Sequence, residues 1–310
     1  MLSRTADALY WTGRYMERAD FLARILEATF RLAAIPTRAG EDSQVWASAL
    51  ASANARGGLG GKEATERSVR EYLAFGASNP SSIHACLTRA RTNARSVRTA
   101  LTTEVWEAIN GAWNGLAEQG RPTRRDDFLS FLEWVKQVTM AVEGASSRTL
   151  LRNDGYAFFR LGAAVERADN TARLLDVKYH VLLPEDERVG GQLDYFQWTT
   201  LLREVSALTA YRWVYRDDVK PWLVADLMVL NRQMPRSLAS CQTTIVRHLE
   251  KLAAAYGRRG AAQRLASNRL QRFDGENMPR IFQSGLHEYI QAFIAENNAL
   301  GAAITDQYLT

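Results

Sequence analysis

The chain has 310 residues, of which 46% are hydrophobic and 24% are charged. This composition excludes an intrinsically disordered chain, and the length is sufficient for one large domain or two ordinary ones. The 39 basic and 34 acidic side chains leave a formal charge of +5, and the arginines are spread through every segment, so the sequence does not predict nucleic-acid binding.

Membrane insertion and a disulfide scaffold are also not expected. No stretch approaches about 18 consecutive apolar residues, and the first residues contain no hydrophobic signal core. We therefore predict a cytoplasmic protein that does not associate with a membrane. The only two cysteines, Cys86 and Cys241, are too few for a disulfide scaffold or a multi-cysteine metal site.

The predicted elements are all helices, because strong helix formers dominate and only 20 Gly and 7 Pro interrupt them. In the first half, helices are predicted over residues 3–32, 41–53, 63–76, 80–100, 102–118 and 126–146. In the second half, they are predicted over residues 154–181, 193–213, 218–231, 236–256, 260–273 and 280–303. Pro80 and Pro235 suit a first helical turn, and Asn79 is predicted to cap the helix that starts at Pro80.

The first helix of each half shares one sequence pattern. Residues 9–27 read LYWTGRYMERADFLARILE and residues 158–176 read FFRLGAAVERADNTARLLD, a shift of 158 − 9 = 149. Two further landmarks recur in the same order, DSQVW at 42–46 with DYFQW at 194–198, and NPSSIHAC at 79–86 with MPRSLASC at 234–241. We predict two diverged copies of one helical unit, residues 1–150 and 151–310, forming one helical bundle with a pseudo-twofold axis.

Each of these two helices has an apolar seam at a spacing of three and four residues, which predicts a packing face. Small residues in the middle of the seam, such as Ala19 and Ala23, would let a neighbouring helix approach closely. Glycine costs a helix interior about 0.5–1 kcal/mol relative to alanine. Gly13 and Gly162 are therefore predicted to mark a turn where another backbone or a ligand lies close.

A polar stripe lies beside the seam in both helices. It consists of Gly13, Glu17, Asp20 and Arg24 in the first helix and of Gly162, Glu166, Asp169 and Arg173 in the second. Arg18 and Arg167 directly follow the two glutamates. The spacing stacks the stripe on one helix face, where each aspartate can pair with the arginine four residues on. The glutamates are left to reach another element.

Three interpretations of the stripe remain open. The charged groups can form a structural ion network that joins the two copies. They can instead line a polar pocket between the copies that binds a peptide amine or carboxylate, or acts by acid–base catalysis. A carboxylate metal site is the third, although the four histidines are scattered without an HExxH or Glu-x-x-His motif. No glycine-rich phosphate loop follows a predicted strand, so neither a metal nor a cofactor is expected.

Two other features were considered as sites. Cys86 and Cys241 are predicted in the first or second turn of a helix, where the helix dipole can favour a thiolate. Neither is accompanied by a cysteine-hydrolase motif, so we interpret both as small core residues. Aromatic and charged residues alternate at residues 211–222, which indicates either ordinary packing or a binding surface with Trp213 and Trp222.

Several segments resemble the bacterial alpha-E family over essentially the whole chain. They are MLSRTADALYWTGRYMERADFLARIL at the start, NPSSI at 79–83, RARTNARSVR at 89–98, WEAIN at 106–110 and MPRSL at 234–238. Thr92 departs from the glutamate that the family more often has there. The resemblance implies an all-helical bacterial protein encoded beside a circularly permuted ATP-grasp ligase, a transglutaminase-like protease and sometimes a proteasome-like peptidase.

That gene context implies a function in peptide or amide-bond metabolism. The first hypothesis is a noncatalytic partner or accessory subunit of the ATP-grasp ligase, which binds the ligase or its peptide. The alternative is an enzyme that acts on peptide or amide bonds through the Glu, Asp and Arg side chains of the polar stripe.

Overall fold

A computed structural model describes residues 1–34, 41–181 and 191–310 of the chain. These residues form 14 α-helices and no strand, which confirms the predicted all-α class. The first seven helices are α1 (Ser3–Ala33), α2 (Glu41–Ser52), α3 (Glu66–Arg70), α4 (Ile83–Ser96), α5 (Thr103–Gln119), α6 (Arg125–Thr149) and α7 (Asp154–Val181). The others are α8 (Gln192–Glu204), α9 (Leu208–Tyr215), α10 (Pro221–Val229), α11 (Leu238–Tyr256), α12 (Ala261–Gly275), α13 (Met278–Ser284) and α14 (Leu286–Ile304).

Two predicted helices are each divided into two in the structure. The prediction of one helix over 193–213 is wrong, because Ser206 has φ 55° and separates α8 from α9. The prediction over 280–303 is wrong for a similar reason, since Gly285 has φ 94° between α13 and α14. A positive φ is incompatible with a continuous right-handed helix, so the chain changes direction at both positions.

Several predicted helix starts are also wrong by two or three residues, among them those of α4 and α11. α4 begins at Ile83 and not at Pro80, because the hydroxyl of Ser82 accepts the backbone N–H of Ala85 at 3.2 Å and caps the helix. α11 begins at Leu238, where the hydroxyl of Ser237 has the same function. Asn79, the predicted cap, instead accepts the backbone N–H of Ser81 in the turn that precedes the helix. A serine cap satisfies one of the free N–H groups of the first turn.

The long helix α1 lies in the middle of the molecule and packs against α7, α4 and α6, while α7 packs in turn against α11 and α14. The largest cluster of buried apolar side chains includes residues from both halves, for example Leu26 and Leu223. The α1–α7 contact therefore lies at the centre of the core. Within the described ranges, no helix is both long enough and apolar enough to cross a membrane.

One buried histidine makes stability depend on pH. His248 in α11 is 5% exposed, and neither ring nitrogen has a hydrogen-bond partner in the described part of the chain. Burial and the neighbouring charge of Arg247 lower the pKa of His248 from 6.5 to about 4. Below pH 6.5 the unfolded chain gains a proton that the folded chain does not, so stability is expected to fall by roughly 3 kcal/mol towards pH 4.

Replacing His248 with Phe should remove this part of the pH dependence while keeping the ring packed against Tyr156. Equilibrium unfolding in urea at several pH values between 6.5 and 4 measures the difference between variant and wild type. His84→Gln, at an exposed position of α4, is the control and should leave the pH dependence unchanged. Equal slopes for wild type and His248→Phe would contradict the prediction.

Candidate functional site

The backbones of α1 and α7 approach each other closely at two glycines. A methyl group in place of the Cα hydrogen of Gly13 would lie 2.2 Å from the carbonyl oxygen of Phe159. The same change at Gly162 would place a methyl group 2.0 Å from the carbonyl oxygen of Tyr10. Both distances are far inside van der Waals contact, so only glycine fits at these positions without a shift of the helices.

Glu17 of α1 is held by two arginines from other elements. Its Oε2 accepts a hydrogen bond from Nη2 of Arg167 at 2.6 Å, and its Oε1 accepts one from Nη1 of Arg236 at 2.7 Å. Burial alone would raise the pKa of Glu17, but the two guanidinium groups lower it to about 2. The side chain is therefore a carboxylate at neutral pH, with both oxygens paired.

Glu166 of α7 has a corresponding arrangement with two arginines of α1. Nε of Arg18 donates to Oε1 at 2.5 Å, and Nε of Arg14 donates to Oε2 at 2.7 Å. Burial alone would raise the pKa of Glu166, but the guanidinium groups of Arg18 and Arg14 outweigh burial and hold the pKa below its usual range. Arg18 also donates from Nη1 to the hydroxyl of Ser81 at 2.9 Å, which connects α1 to the turn before α4.

The two aspartates of the stripe differ in how many arginines they contact. Oδ2 of Asp20 accepts from Nε of Arg24 at 2.7 Å and from Nη2 of Arg236 at 2.6 Å. Asp169 accepts from Arg173 alone among the described residues, with 2.7 Å between Nε and Oδ2. Because burial is only partly offset by Arg173, the pKa of Asp169 is raised from its usual value.

The structure thus divides the predicted site residues between two ion-pair clusters. The first cluster contains Glu17, Asp20, Arg24, Arg167 and Arg236. The second cluster consists of two separate ion-paired groups that lie side by side, Glu166 with Arg14 and Arg18, and Asp169 with Arg173. No ion pair connects the two clusters within the part of the chain that the structure describes.

The two clusters line cavities of very different size. The cavity at Glu17 and Asp20 has a volume of about 40 Å³, because the guanidinium group of Arg236 occupies the space between the carboxylates. The cavity at Glu166 and Asp169 has a volume of about 280 Å³. Only the second cavity approaches the size of a small-molecule site, for which about 300 Å³ is a lower limit.

Sequence analysis missed two of the arginines that complete the clusters. Arg14 lies four residues before Arg18 on the same face of α1, but the shift of 149 places Ala163 at its equivalent position. Arg236 belongs to the MPRSL segment, where the matching NPSSI segment has Ser81. The predicted stripe consists of positions that recur in both halves, so it does not include partners that occur in only one half.

The two cysteines are the remaining candidate nucleophiles of the sequence. Cys86 and Cys241 lie in the first turns of α4 and α11, as fully buried thiols. Burial raises the pKa of each thiol to about 12, so both are protonated at neutral pH. In the described segments, no group of three or more His, Cys, Asp and Glu side chains could hold a metal ion.

The aromatic residues at 211–222 have two different environments. Tyr211 is buried and donates its hydroxyl to the backbone oxygen of Asp218 at 2.7 Å, and Tyr215 donates to Oδ2 of Asp226 at 2.5 Å. These bonds hold the loop between α9 and α10. Trp213 on α9 and Trp222 on α10 are instead 79% and 51% exposed, so two large apolar side chains face solvent.

Comparison with known proteins identifies one family. Residues 1–309 match the Alpha-E family, which is described as a predicted alpha-helical domain with a conserved ER motif. No curated protein and no solved structure matches the chain. Glu17-Arg18 and Glu166-Arg167 are both Glu-Arg pairs at the α1–α7 contact. The chain belongs to the Alpha-E family.

Proposed function

We propose that this Alpha-E protein is a noncatalytic helical module that serves as a partner or accessory subunit of an ATP-grasp peptide or amide ligase, binding the ligase or its peptide. The observation that carries the noncatalytic part is the pairing of Glu17 and Glu166. Each carboxylate accepts hydrogen bonds from two arginines, and its pKa lies below the usual range. A general acid or base needs a pKa near the working pH, and neither glutamate has one.

We also propose that residues 1–150 and 151–310 are two copies of one unit related by a pseudo-twofold axis. The ion pair Glu17–Arg167 becomes Glu166–Arg18 when the two copies are exchanged, since 17 + 149 = 166 and 18 + 149 = 167. The glycine contacts exchange in the same way, Gly13 with Phe159 and Gly162 with Tyr10. Reciprocal contacts of this kind support a structural function for the Glu-Arg pairs.

The alternative proposal is an enzyme that acts on peptide or amide bonds at the polar stripe. Its strongest support is the cavity beside Glu166 and Asp169, where the pKa of Asp169 is raised by burial. If this alternative holds, Asp169→Asn should abolish hydrolysis or ligation of a peptide substrate without lowering the melting temperature. Loss of stability in Glu166→Gln, with no activity in the wild type, supports the noncatalytic proposal.

The surface around α9 and α10 is the region that we propose for contact with the ligase. Exposed tryptophan and arginine side chains are enriched among residues that dominate binding energy in protein interfaces. Around Trp213 and Trp222 the exposed charged residues are Arg212, Arg216, Lys220, Asp217 and Asp218, with a net charge of 3 − 2 = +1. A partner with an apolar pocket and a weakly acidic rim would fit. The transglutaminase-like protease is a second proposed partner, which the same gene context supports.

Replacing Trp213 and Trp222 together with Ala should weaken association with the ATP-grasp ligase by at least about 30-fold, the effect of losing one hot-spot residue. Copurification followed by a titration of one protein into the other measures the affinity. Leu151→Ala is the matched control, because Leu151 is 76% exposed and lies outside this surface. Absence of association between the wild-type proteins at micromolar concentration would count against the partner proposal.

A further inference from the structure

The cavity beside Asp169 is larger than the one beside Asp20 because Ser81 occupies the position that is equivalent to Arg236. In MPRSL, Arg236 places its guanidinium group between Glu17 and Asp20, at 2.7 and 2.6 Å. The matching position in NPSSI is Ser81, whose hydroxyl accepts a hydrogen bond from Nη1 of Arg18 at 2.9 Å. The short side chain leaves about 280 Å³ beside Glu166 and Asp169, compared with about 40 Å³ beside Arg236.

A second observation indicates that this cavity takes a ligand. Asn170 of α7 lines the cavity and is 6% exposed, and its amide nitrogen Nδ2 has no hydrogen-bond partner among the residues that the structure describes. A buried donor without an acceptor costs about 1–3 kcal/mol, so the site is incomplete as it stands. Asp169 can accept another hydrogen bond, because among the described residues it pairs with Arg173 alone, whereas Asp20 pairs with two arginines.

The charges that line the cavity indicate that the ligand carries a carboxylate as well as a cation. Two arginines, Arg18 and Arg173, oppose two carboxylates, Glu166 and Asp169, so the charged lining is balanced at 2 − 2 = 0. A ligand with only an ammonium group would add an uncompensated positive charge. A carboxylate on the same ligand would balance its ammonium group and could accept a hydrogen bond from Asn170.

Apolar side chains form the rest of the cavity wall, including buried Phe21, Leu22 and Leu73. The rim is open to solvent, because Asn54 and Pro80 are exposed. A ligand of this site would therefore have an apolar part and could enter from solution.

We propose that this cavity binds a free α-amino acid with an apolar side chain, whose ammonium group pairs with Asp169 and whose carboxylate accepts a hydrogen bond from Asn170. The side chain of the ligand contacts Phe21, Leu22 and Leu73. The site is formed by this chain alone, so the proposal does not depend on association with a ligase.

Isothermal titration calorimetry of the full chain with three matched compounds tests the ligand chemistry. L-leucine carries both charged groups, isoamylamine lacks the carboxylate, and 4-methylpentanoate lacks the ammonium group. We expect L-leucine to bind at one site with a Kd below about 1 mM, and the other two compounds to bind at least about tenfold more weakly. No heat from L-leucine at about 1 mM, or equal affinity for either half-compound, would overturn the proposal.

Ser81→Arg tests the location of the site. The new guanidinium group should occupy the cavity as Arg236 occupies the other one, which should weaken L-leucine binding at least about tenfold without lowering the melting temperature. Unchanged affinity in a folded Ser81→Arg protein would place the ligand elsewhere and overturn the proposal. If Ser81→Arg does not fold, Asn170→Leu should weaken binding to a similar extent, and unchanged affinity would have the same meaning.

The amino-acid proposal and the ligase proposal can be tested independently. The protein with Trp213 and Trp222 replaced by Ala should still bind L-leucine, because neither tryptophan lines the cavity. Conversely, failure of ligase copurification leaves the expected calorimetric result unchanged.

Discussion

Replacing Glu17 with Gln should lower the free energy of unfolding by about 3–5 kcal/mol, the usual cost of removing one partner from a buried ion pair. The side chains of Arg167 and Arg236 are 13% and 14% exposed, and both would lose their common carboxylate. Equilibrium unfolding in urea at pH 7 gives the change. Glu250→Gln is the matched control, because Glu250 forms an exposed pair with Arg259 that should contribute less than about 1 kcal/mol.

The pH dependence of the Glu17 effect has a defined sign. The pKa of Glu17 falls from 4.5 to about 2 on folding, so the unfolded chain binds more protons between these values. The stability that Glu17 contributes is present above about pH 4.5 and is lost as the pH falls towards 2. Glu17→Gln should remove this dependence, and an unchanged stability at pH 7 would contradict the structural function of Glu17.

Replacing Gly162 with Ala should also destabilise the protein, by about 1–3 kcal/mol, because the added methyl group meets a backbone oxygen that cannot move independently. Tyr10, which carries that oxygen, is fully buried, so α1 and α7 must separate locally. Thermal and urea unfolding measure the loss. We expect Gly13→Ala to have a similar effect, since its methyl group would meet the backbone of Phe159.

The control for the glycine prediction is a glycine whose replacement by alanine should raise the stability of the protein. Gly111 lies in α5, and a methyl group there would have no atom from outside its own helix within 4 Å among the described residues. Gly111→Ala should therefore stabilise the protein by about 0.5–1 kcal/mol, the ordinary gain of alanine over glycine inside a helix. Stabilisation by Gly162→Ala as well would mean that the two helices do not approach each other as described.

Helical class and the main packing face could be predicted from sequence because both depend on local pattern. The seam of α1 recurs every three or four residues, and its members Leu9, Ala19 and Leu26 are fully buried. Breaks between helices were harder to predict. The segment 193–213 has a continuous helical pattern, and the positive φ of Ser206 occurs in a stretch that contains no glycine or proline to indicate it.

The residue at which a helix begins depends on a single capping hydrogen bond, and the sequence alone does not show which of several capping residues forms it. Asn79, Ser81 and Ser82 are all good capping residues, and Pro80 suits a first turn. In the structure the hydroxyl of Ser82 reaches the N–H of Ala85, so the helix begins three residues later than predicted. The difference is only three residues. It places Asn79 in the turn before the helix, and it leaves Ser81 outside the helix, where its hydroxyl contacts Arg18.

The charged residues of the site could be predicted, but their partners could not. Repetition of the polar stripe identified Glu17 and Glu166, whose partners come from other helices and turns. Those partners depend on which long side chains reach the stripe after folding, and Arg14 and Arg236 each occur in one half only. The large cavity beside Asp169 has the same origin, because it results from the difference between Ser81 and Arg236.

A double-mutant cycle between Glu166 and Arg18 tests most directly whether the Glu-Arg pairs hold α1 against α7. The cycle compares urea unfolding of the wild type, Glu166→Gln, Arg18→Met and the double variant. We predict a coupling free energy between about 1.5 and 3 kcal/mol, because the two side chains share two hydrogen bonds in a buried environment. A coupling below about 0.5 kcal/mol, as expected for distant or independent residues, would contradict this account.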